Sequence, residues 1–377
     1  MRIAWQKCSL LYRMEMDILT KGKSQYTHGG TPQVDLARFG MTERTVLDFS
    51  ANLNFLGPPA IIKEKWEDIF DIIKYYPSIE GTGVTYYYRK KFGISSRNFL
   101  AGNGSTEMIY LVPRALRFRR VVVITPSYHD YERASMIAGA KVVRRPLFPE
   151  NEFAFPGVGD FIEVLKDADA LWLGRPNNPT GTLFEKESVL ELAGLFPEKW
   201  FIIDEAFIQF LNGWEEKSLL IGQTRANILV IHSLTKFYAI AGLRIGGIMG
   251  DGEVISRLRE EKEPWTINGA ADRIAPLLLE CIDYEKETQS VIKKERKRIF
   301  RLLDALDGIT PLPPSANFIL CKWTRTNNMD DLMRYLLLNG AYVRDCRNFC
   351  GLENNFFRIG LRSPDENDQL VSLLSSF

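Results

Sequence analysis

From residue 100 onward the apolar positions of this chain fall in short unbroken runs, at 121–124, 170–173, 201–203, 228–231 and 246–249. Such runs are too short for buried helices and lack the polar alternation of a half-solvated strand, so they predict the buried strands of a largely parallel sheet. Between them, 106–117, 131–138 and 186–195 have helical spacing and supply the crossovers, which makes the predicted architecture α/β. Upstream, Ile61, Ile62, Trp66, Ile69, Phe70 and Ile73 recur at helical spacing behind Pro58 and Pro59. They predict a helix from about 59 to 74, ended by Pro77, which disfavours helical backbone in the residue before it. Residues 25–60 are rich in turn formers and read as an irregular arm.

Residues 285–308 interleave Val291, Ile292, Ile299, Phe300 and Leu303 with a dense run of charges, which predicts one long, largely solvated helix. Strands near 316–323, 341–345 and 356–361, with helices near 329–338 and 365–375, then form a second, α+β unit. The expected division is an N-terminal arm and part of the small domain at 1–47, a large domain at 48–270 and a small C-terminal domain at 271–377.

Composition narrows the partners. The 48 basic and 47 acidic residues nearly cancel, so bulk electrostatics favour neither nucleic acid nor an anionic membrane. No run approaches the roughly 18 apolar residues of a spanning helix. Five scattered cysteines, at 8, 281, 321, 346 and 350, suit reduced thiols and a cytoplasmic location, and with only three histidines no metal site is expected at the close pair Cys346 and Cys350. Glu15 and Asp17 interrupt the apolar patch of the first 20 residues, which argues against a secretory signal, and Met14 or Met16 is an alternative start.

Chemistry is concentrated after the apolar runs. Ser233, Lys236 and Arg244 follow the run 228–231 and put an amine and two anion-binding groups where a strand empties into a loop. Such a set suits a phosphate-bearing aldehyde cofactor, which needs one lysine for covalent attachment and proton transfer, and hydroxyl and guanidinium groups for its phosphate. Taken alone, a Ser-x-x-Lys pattern is more often a solvated loop. Gly104, Ser105 and Thr106 open a helix, where free amides and the macrodipole attract phosphate, although a glycine turn capped by Ser105 explains the same residues. Asn178 lies in a turn-like Asn-Asn-Pro-Thr-Gly after the run 170–173. Asp204 ends a buried strand, where a carboxylate is costly unless it meets a cation or strong donors, and a protonated pyridine nitrogen or a structural arginine satisfies that need.

In this order, with Tyr128 after Pro126, these residues closely resemble the fold-type-I pyridoxal phosphate enzymes of the aminotransferase class I/II superfamily, from about residue 27 to the C-terminus. The resemblance implies the pyridoxal-phosphate-dependent transferase fold, with pyridoxal 5'-phosphate linked to Lys236. Asp204 then pairs with the ring nitrogen, Asn178 bonds the phenolic oxygen and Tyr128 stacks on the ring. Gly104, Ser105, Thr106, Ser233 and Arg244 hold the phosphate. Tyr76 matches a tyrosine that reaches the neighbouring subunit's cofactor, which implies a homodimer. Most such aminotransferases have tyrosine where this chain has Phe207.

His28-Gly-Gly30, Phe49-Ser-Ala-Asn52, Asp204-Glu-Ala-Phe207, the stretch from Ser233 to Ile240 and the segment from Arg344 to Leu352 narrow the likeness to the threonine-phosphate decarboxylase branch, which is similar to the histidinol-phosphate aminotransferases. That branch makes the aminopropanol phosphate of the cobalamin side chain. By resemblance Arg358 binds the substrate carboxylate, Arg344 and His28 its phosphate, and Asn178 also faces the substrate. The alternatives are an aminotransferase of the histidinol-phosphate type and a non-catalytic sensor that keeps the pocket. A sensor of that kind usually carries a DNA-binding segment, and the first 40 residues hold no helix-turn-helix pattern or basic stripe. A Rossmann protein is disfavoured because 97–101 reads as a poor strand before Gly102.

Overall fold

A computed structural model describes residues 29–41, 45–222, 225–325 and 328–377. His28, Cys8 and the alternative starts Met14 and Met16 lie outside the described residues. The strands run β1 Leu47–Asp48, β2 Phe99–Asn103, β3 Arg120–Thr125, β4 Lys141–Pro146, β5 Ala170–Gly174, β6 Trp200–Asp204, β7 Ile228–Ser233 and β8 Ile245–Met249. They continue as β9 Ile309–Pro311, β10 Phe318–Trp323, β11 Ala341–Tyr342, β12 Arg344–Asp345 and β13 Phe356–Gly360.

Seven strands form the central sheet in the order β2-β8-β7-β6-β5-β3-β4. Its pairs are parallel except that β8 runs antiparallel to both β2 and β7. The continuous apolar runs are explained by two cores, one on each face of the sheet. Val122, Leu171, Leu173, Phe201, Ile203 and Val230 point into one, and Val121, Val123, Trp172, Ile202, Leu229 and Ile231 into the other. Alternate residues of a strand face opposite sides, so a strand buried on both faces has no polar positions to show.

A four-stranded sheet, β12-β13-β10-β9, packs beyond it, antiparallel throughout. The long helix Ile282–Asp304 precedes that sheet, and its inward stripe Ile292, Ile299 and Leu303 is buried. Leu47 pairs with Ala341, so the chain before the large sheet is tied to the C-terminal unit.

Three expectations differ. The helix expected over 59–74 is broken into Ala60–Glu64, Trp66–Phe70 and a 3-10 turn Asp71–Lys74, with Lys65 (φ −97°, ψ 11°) as the break. The supposedly poor strand near 97–101 is the edge strand β2, whose Phe99, Leu100 and Ala101 are buried. The edge strand β4 was not expected, because Lys141, Arg144 and Arg145 leave no apolar run.

Candidate active site

The carboxyl ends of β5, β6 and β7 lie side by side, with Gly174 opposite Asp204 and Asp204 opposite Ile231. Strand β2 runs parallel to β7, since both are antiparallel to β8, and so delivers Gly104 at the same end. In an open α/β sheet this edge is where ligands bind.

The anion cradle is built first. Helix Gly104–Leu116 starts at the end of β2, and Gly104 has φ +69°, a conformation that glycine adopts without strain. A Cβ there would stand 2.8 Å from an Arg244 guanidinium nitrogen, so the missing side chain is what lets the cation close over the helix start. Arg244 Nη2 donates to Thr106 Oγ1 (3.2 Å), and the Gly104 amide donates to the Arg244 carbonyl (3.0 Å). Ser105 is not the cap. Asn103 holds that position, and the Glu107 carboxylate accepts from its amide (2.6 Å). Ser105 and Thr106 therefore present their hydroxyls on the first turn, half-buried.

At the end of β7, Ser233 and Thr235 share a hydroxyl hydrogen bond of 2.7 Å, and Lys236 Nζ donates to Thr235 Oγ1 (3.2 Å). Burial, reinforced by Arg244 and Arg358, pushes the Lys236 amine down to about 8, while Asp204 opposes the shift. An amine so placed can exist neutral or charged near neutral pH.

Asp204 is 7% exposed. Its Oδ1 accepts from the Ala206 amide (2.9 Å) and its Oδ2 from the Tyr131 hydroxyl (2.8 Å). No salt bridge to it occurs among the described residues, and burial raises its carboxyl above the usual carboxylate range against the pull of those two donors and Lys236. Tyr128 is half-buried just before helix Asp130–Ile137, its ring 5.7 Å from both His129 and Tyr131. Its hydroxyl is held well above its ordinary pKa by burial and by Asp130.

Arg344 and Arg358 face each other across β12 and β13, both buried. Arg358 donates to Asn178 Oδ1 and to the Ser50 carbonyl (2.8 Å), and it lies 5.3 Å over the Phe318 ring. Burial lowers the Arg358 guanidinium to about 10. Arg344 donates to Asn348 Oδ1 (2.9 Å) and stacks on Phe349 at 5.2 Å. Phe207 packs edge-on against Phe318 (5.1 Å), so an apolar wall stands where a hydroxyl donor was noted as usual.

Tyr76 is not gathered into this site. It is 86% exposed, and its ring neighbour is Trp265 at 5.4 Å. Sequence reasoning missed Tyr131, one turn beyond Tyr128, and the buried pair Arg175–Glu205 (2.6 Å) beneath the ends of β5 and β6. Spacing carries no signal for contacts made across 73 and 30 residues of chain.

The residues fit pyridoxal 5'-phosphate. The glycine cradle under Arg244 suits its phosphate, the Lys236 amine its aldehyde, and a buried carboxylate without a cationic partner suits its protonated ring nitrogen. Among the described residues no cluster of histidine, cysteine and carboxylate groups could hold a metal ion.

The same reading comes from known proteins. The profile of the family described as aminotransferase class I and II matches residues 44–374. The threonine-phosphate decarboxylase of Salmonella typhimurium is 32% identical over 351 residues, covering 92% of this chain and 95% of that protein. A histidinol-phosphate aminotransferase of Caldanaerobacter subterraneus subsp. tengcongensis is 30% identical, covering 84% of this chain and 90% of that protein. Among solved structures, the histidinol-phosphate aminotransferase from Clostridium acetobutylicum superimposes with a TM-score of 0.82 at 30% identity, over 88% of this chain and 98% of that one.

Proposed function

The chain belongs to the aminotransferase class I and II family, and from that premise we propose that it decarboxylates L-threonine O-3-phosphate to the aminopropanol phosphate used for the cobalamin side chain. It is an enzyme of the pyridoxal-phosphate-dependent class, and its cofactor is pyridoxal 5'-phosphate. The reading is carried by the juxtaposition of Arg344 and Arg358 on paired strands. Like charges directly opposite one another destabilise a sheet, so this arrangement is best relieved by a short substrate with two anionic groups. Phosphothreonine has both a phosphate and a carboxylate. Histidinol phosphate has no carboxylate to offer Arg358.

When bound, the cofactor supplies an electron sink for a bond broken at the substrate's α-carbon. The remaining work belongs to the chain. Gly104, Ser105, Thr106, Ser233 and Arg244 hold the cofactor phosphate, Asp204 keeps the ring nitrogen protonated, and Asn178 faces the phenolic oxygen. Arg358 grips the substrate carboxylate with a fork that matches its geometry, and Arg344 takes the phosphate. Anchoring both ends of a short molecule would set the torsion about its α-carbon and so present the carboxylate, rather than the α-hydrogen, for cleavage. The bond from the α-carbon to the carboxyl carbon breaks, carbon dioxide leaves, and Lys236 delivers one proton to the α-carbon in its place.

The test offers phosphothreonine alone and, in parallel, histidinol phosphate with 2-oxoglutarate. Carbon dioxide from phosphothreonine without any oxo-acid acceptor is the expected result. Amino-group transfer from histidinol phosphate, with no carbon dioxide from phosphothreonine, would make the protein an aminotransferase instead.

A further inference from the structure

Among the described residues Asp204, 7% exposed, accepts hydrogen bonds from two donors, the Ala206 amide on Oδ1 and the Tyr131 hydroxyl on Oδ2. The amide belongs to the backbone two residues on and comes with the turn. The hydroxyl comes from another element. Tyr131, 2% exposed, sits in the first turn of helix Asp130–Ile137. Its amide donates to the Tyr128 carbonyl (3.2 Å), and its own carbonyl accepts from Ser135 Oγ (2.7 Å). Its ring stacks on Trp172 of β5 at 5.1 Å with 7° between the planes. The hydroxyl therefore points along a fixed direction toward β6.

Gly174, the last residue of β5, is registered with Asp204 on β6. A Cβ on Gly174 would come 3.3 Å from the Tyr131 hydroxyl oxygen and 3.1 Å from Asn177 Oδ1, so any side chain there crowds the path. With each oxygen of Asp204 holding one donor, the carboxylate plane is fixed and its remaining lone pairs are directed away from both.

We propose that Tyr131 is a positioning residue, which orients Asp204 and keeps it ionised so that it can bind the protonated ring nitrogen of the cofactor. The inference rests on the reading of Asp204 as that nitrogen's partner. Burial and the Asp204 charge together hold the Tyr131 hydroxyl well above its ordinary pKa, so it remains a donor across the working pH range. The contrasting account is a hydroxyl that merely fastens the helix to the sheet.

Cofactor-free protein titrated with pyridoxal 5'-phosphate, followed by visible absorbance, separates the two accounts. Tyr131→Phe keeps the ring and its stacking on Trp172 and removes only the donor. A hydrogen bond to a charged group predicts a rise in Kd of about tenfold for this variant. Asp204→Asn raises Kd further, and in the Asp204→Asn background Tyr131→Phe adds less than about twofold, because the charge it serves is gone. The proposal is overturned if Tyr131→Phe raises Kd by the same factor in both backgrounds, or if it lowers the Tm and leaves Kd unchanged. If Asp204→Asn itself binds cofactor as tightly as the parent, the reading of Asp204 fails along with the inference. A strong effect of Asp204→Asn with none from Tyr131→Phe removes the inference alone.

Discussion

Lys236 is half-buried beside two guanidinium groups and a carboxylate, and its chemistry follows from that company. Only the neutral amine attacks an aldehyde. With its pKa pushed down to about 8, the rate at which cofactor-free protein attaches pyridoxal 5'-phosphate should rise with pH through a midpoint near 8. An ordinary lysine would place that midpoint above 10. Stopped-flow absorbance across this range reads it directly. Lys236→Ala should fold normally by circular dichroism, lose turnover, and show no covalent cofactor by mass spectrometry after borohydride reduction. Asp204→Asn should lose at least about a hundredfold in kcat, or about 3 kcal/mol, comparable with removing a preorganised electrostatic partner. Near-normal kcat would make Asp204 a structural carboxylate. Lys236, Asp204 and Asn178 could be singled out in the sequence because each lies at or shortly after an apolar run, and Arg244 because it lies just before one. Tyr131 was not, because its hydrogen bond to Asp204 joins positions that no local pattern connects.

At the scale of elements, the central strands were legible for one physical reason, burial on both faces, and the edges were hidden for the converse reason. Among the described residues strand β4 pairs only with β3, and it carries Lys141, Arg144 and Arg145, so it lacks an apolar run. The ends of β5 and β6 are fastened by a contact the sequence did not announce. Arg175 donates through Nη1 to Glu205 and through Nε to the Phe184 carbonyl (2.6 Å), and its amide donates to the Asp204 carbonyl (2.7 Å). Glu205 also accepts from the Ser218 hydroxyl (2.5 Å) and the Leu219 amide (3.1 Å). Both charges are fully buried, so removing one leaves the other uncompensated. Arg175→Met should therefore cost about 3–5 kcal/mol in unfolding free energy. Adding Glu205→Gln should restore most of that loss, since the amide oxygen still accepts from Ser218 and Leu219 and no lone charge remains. Denaturant midpoints of the two variants check this. Equal midpoints would show that the single substitution acts through lost packing instead.

Over the whole molecule, one segment concentrates exposed apolar side chains. Trp66, Phe70, Ile73, Tyr75, Tyr76 and Ile79 lie within one short stretch and are exposed, Phe70 by 64%, and Trp265 stands beside Tyr76. Exposed apolar side chains concentrated in one segment often mark a surface covered by a partner. We propose a second copy of the chain as the cover, with Tyr76 serving the cofactor phosphate of the neighbouring subunit. The proposal predicts complementation. Tyr76→Phe and Lys236→Ala each impair or abolish activity as pure variants, by different routes. When they are unfolded together and refolded, half of the dimers are mixed. In a mixed dimer, the site with an intact Lys236 receives its Tyr76 from the Lys236→Ala subunit, so it is complete, while the other site lacks both groups. Random reassortment thus makes about a quarter of all sites fully competent. If Tyr76 instead served the site of its own chain, every site would lack one group or the other, and the mixture would show only the average of its parents. Activity of the co-refolded mixture above that average, together with a dimer mass by light scattering, is the expected outcome. A monomer mass, or activity equal to the average, would overturn the assignment of Tyr76 to the neighbouring subunit's site.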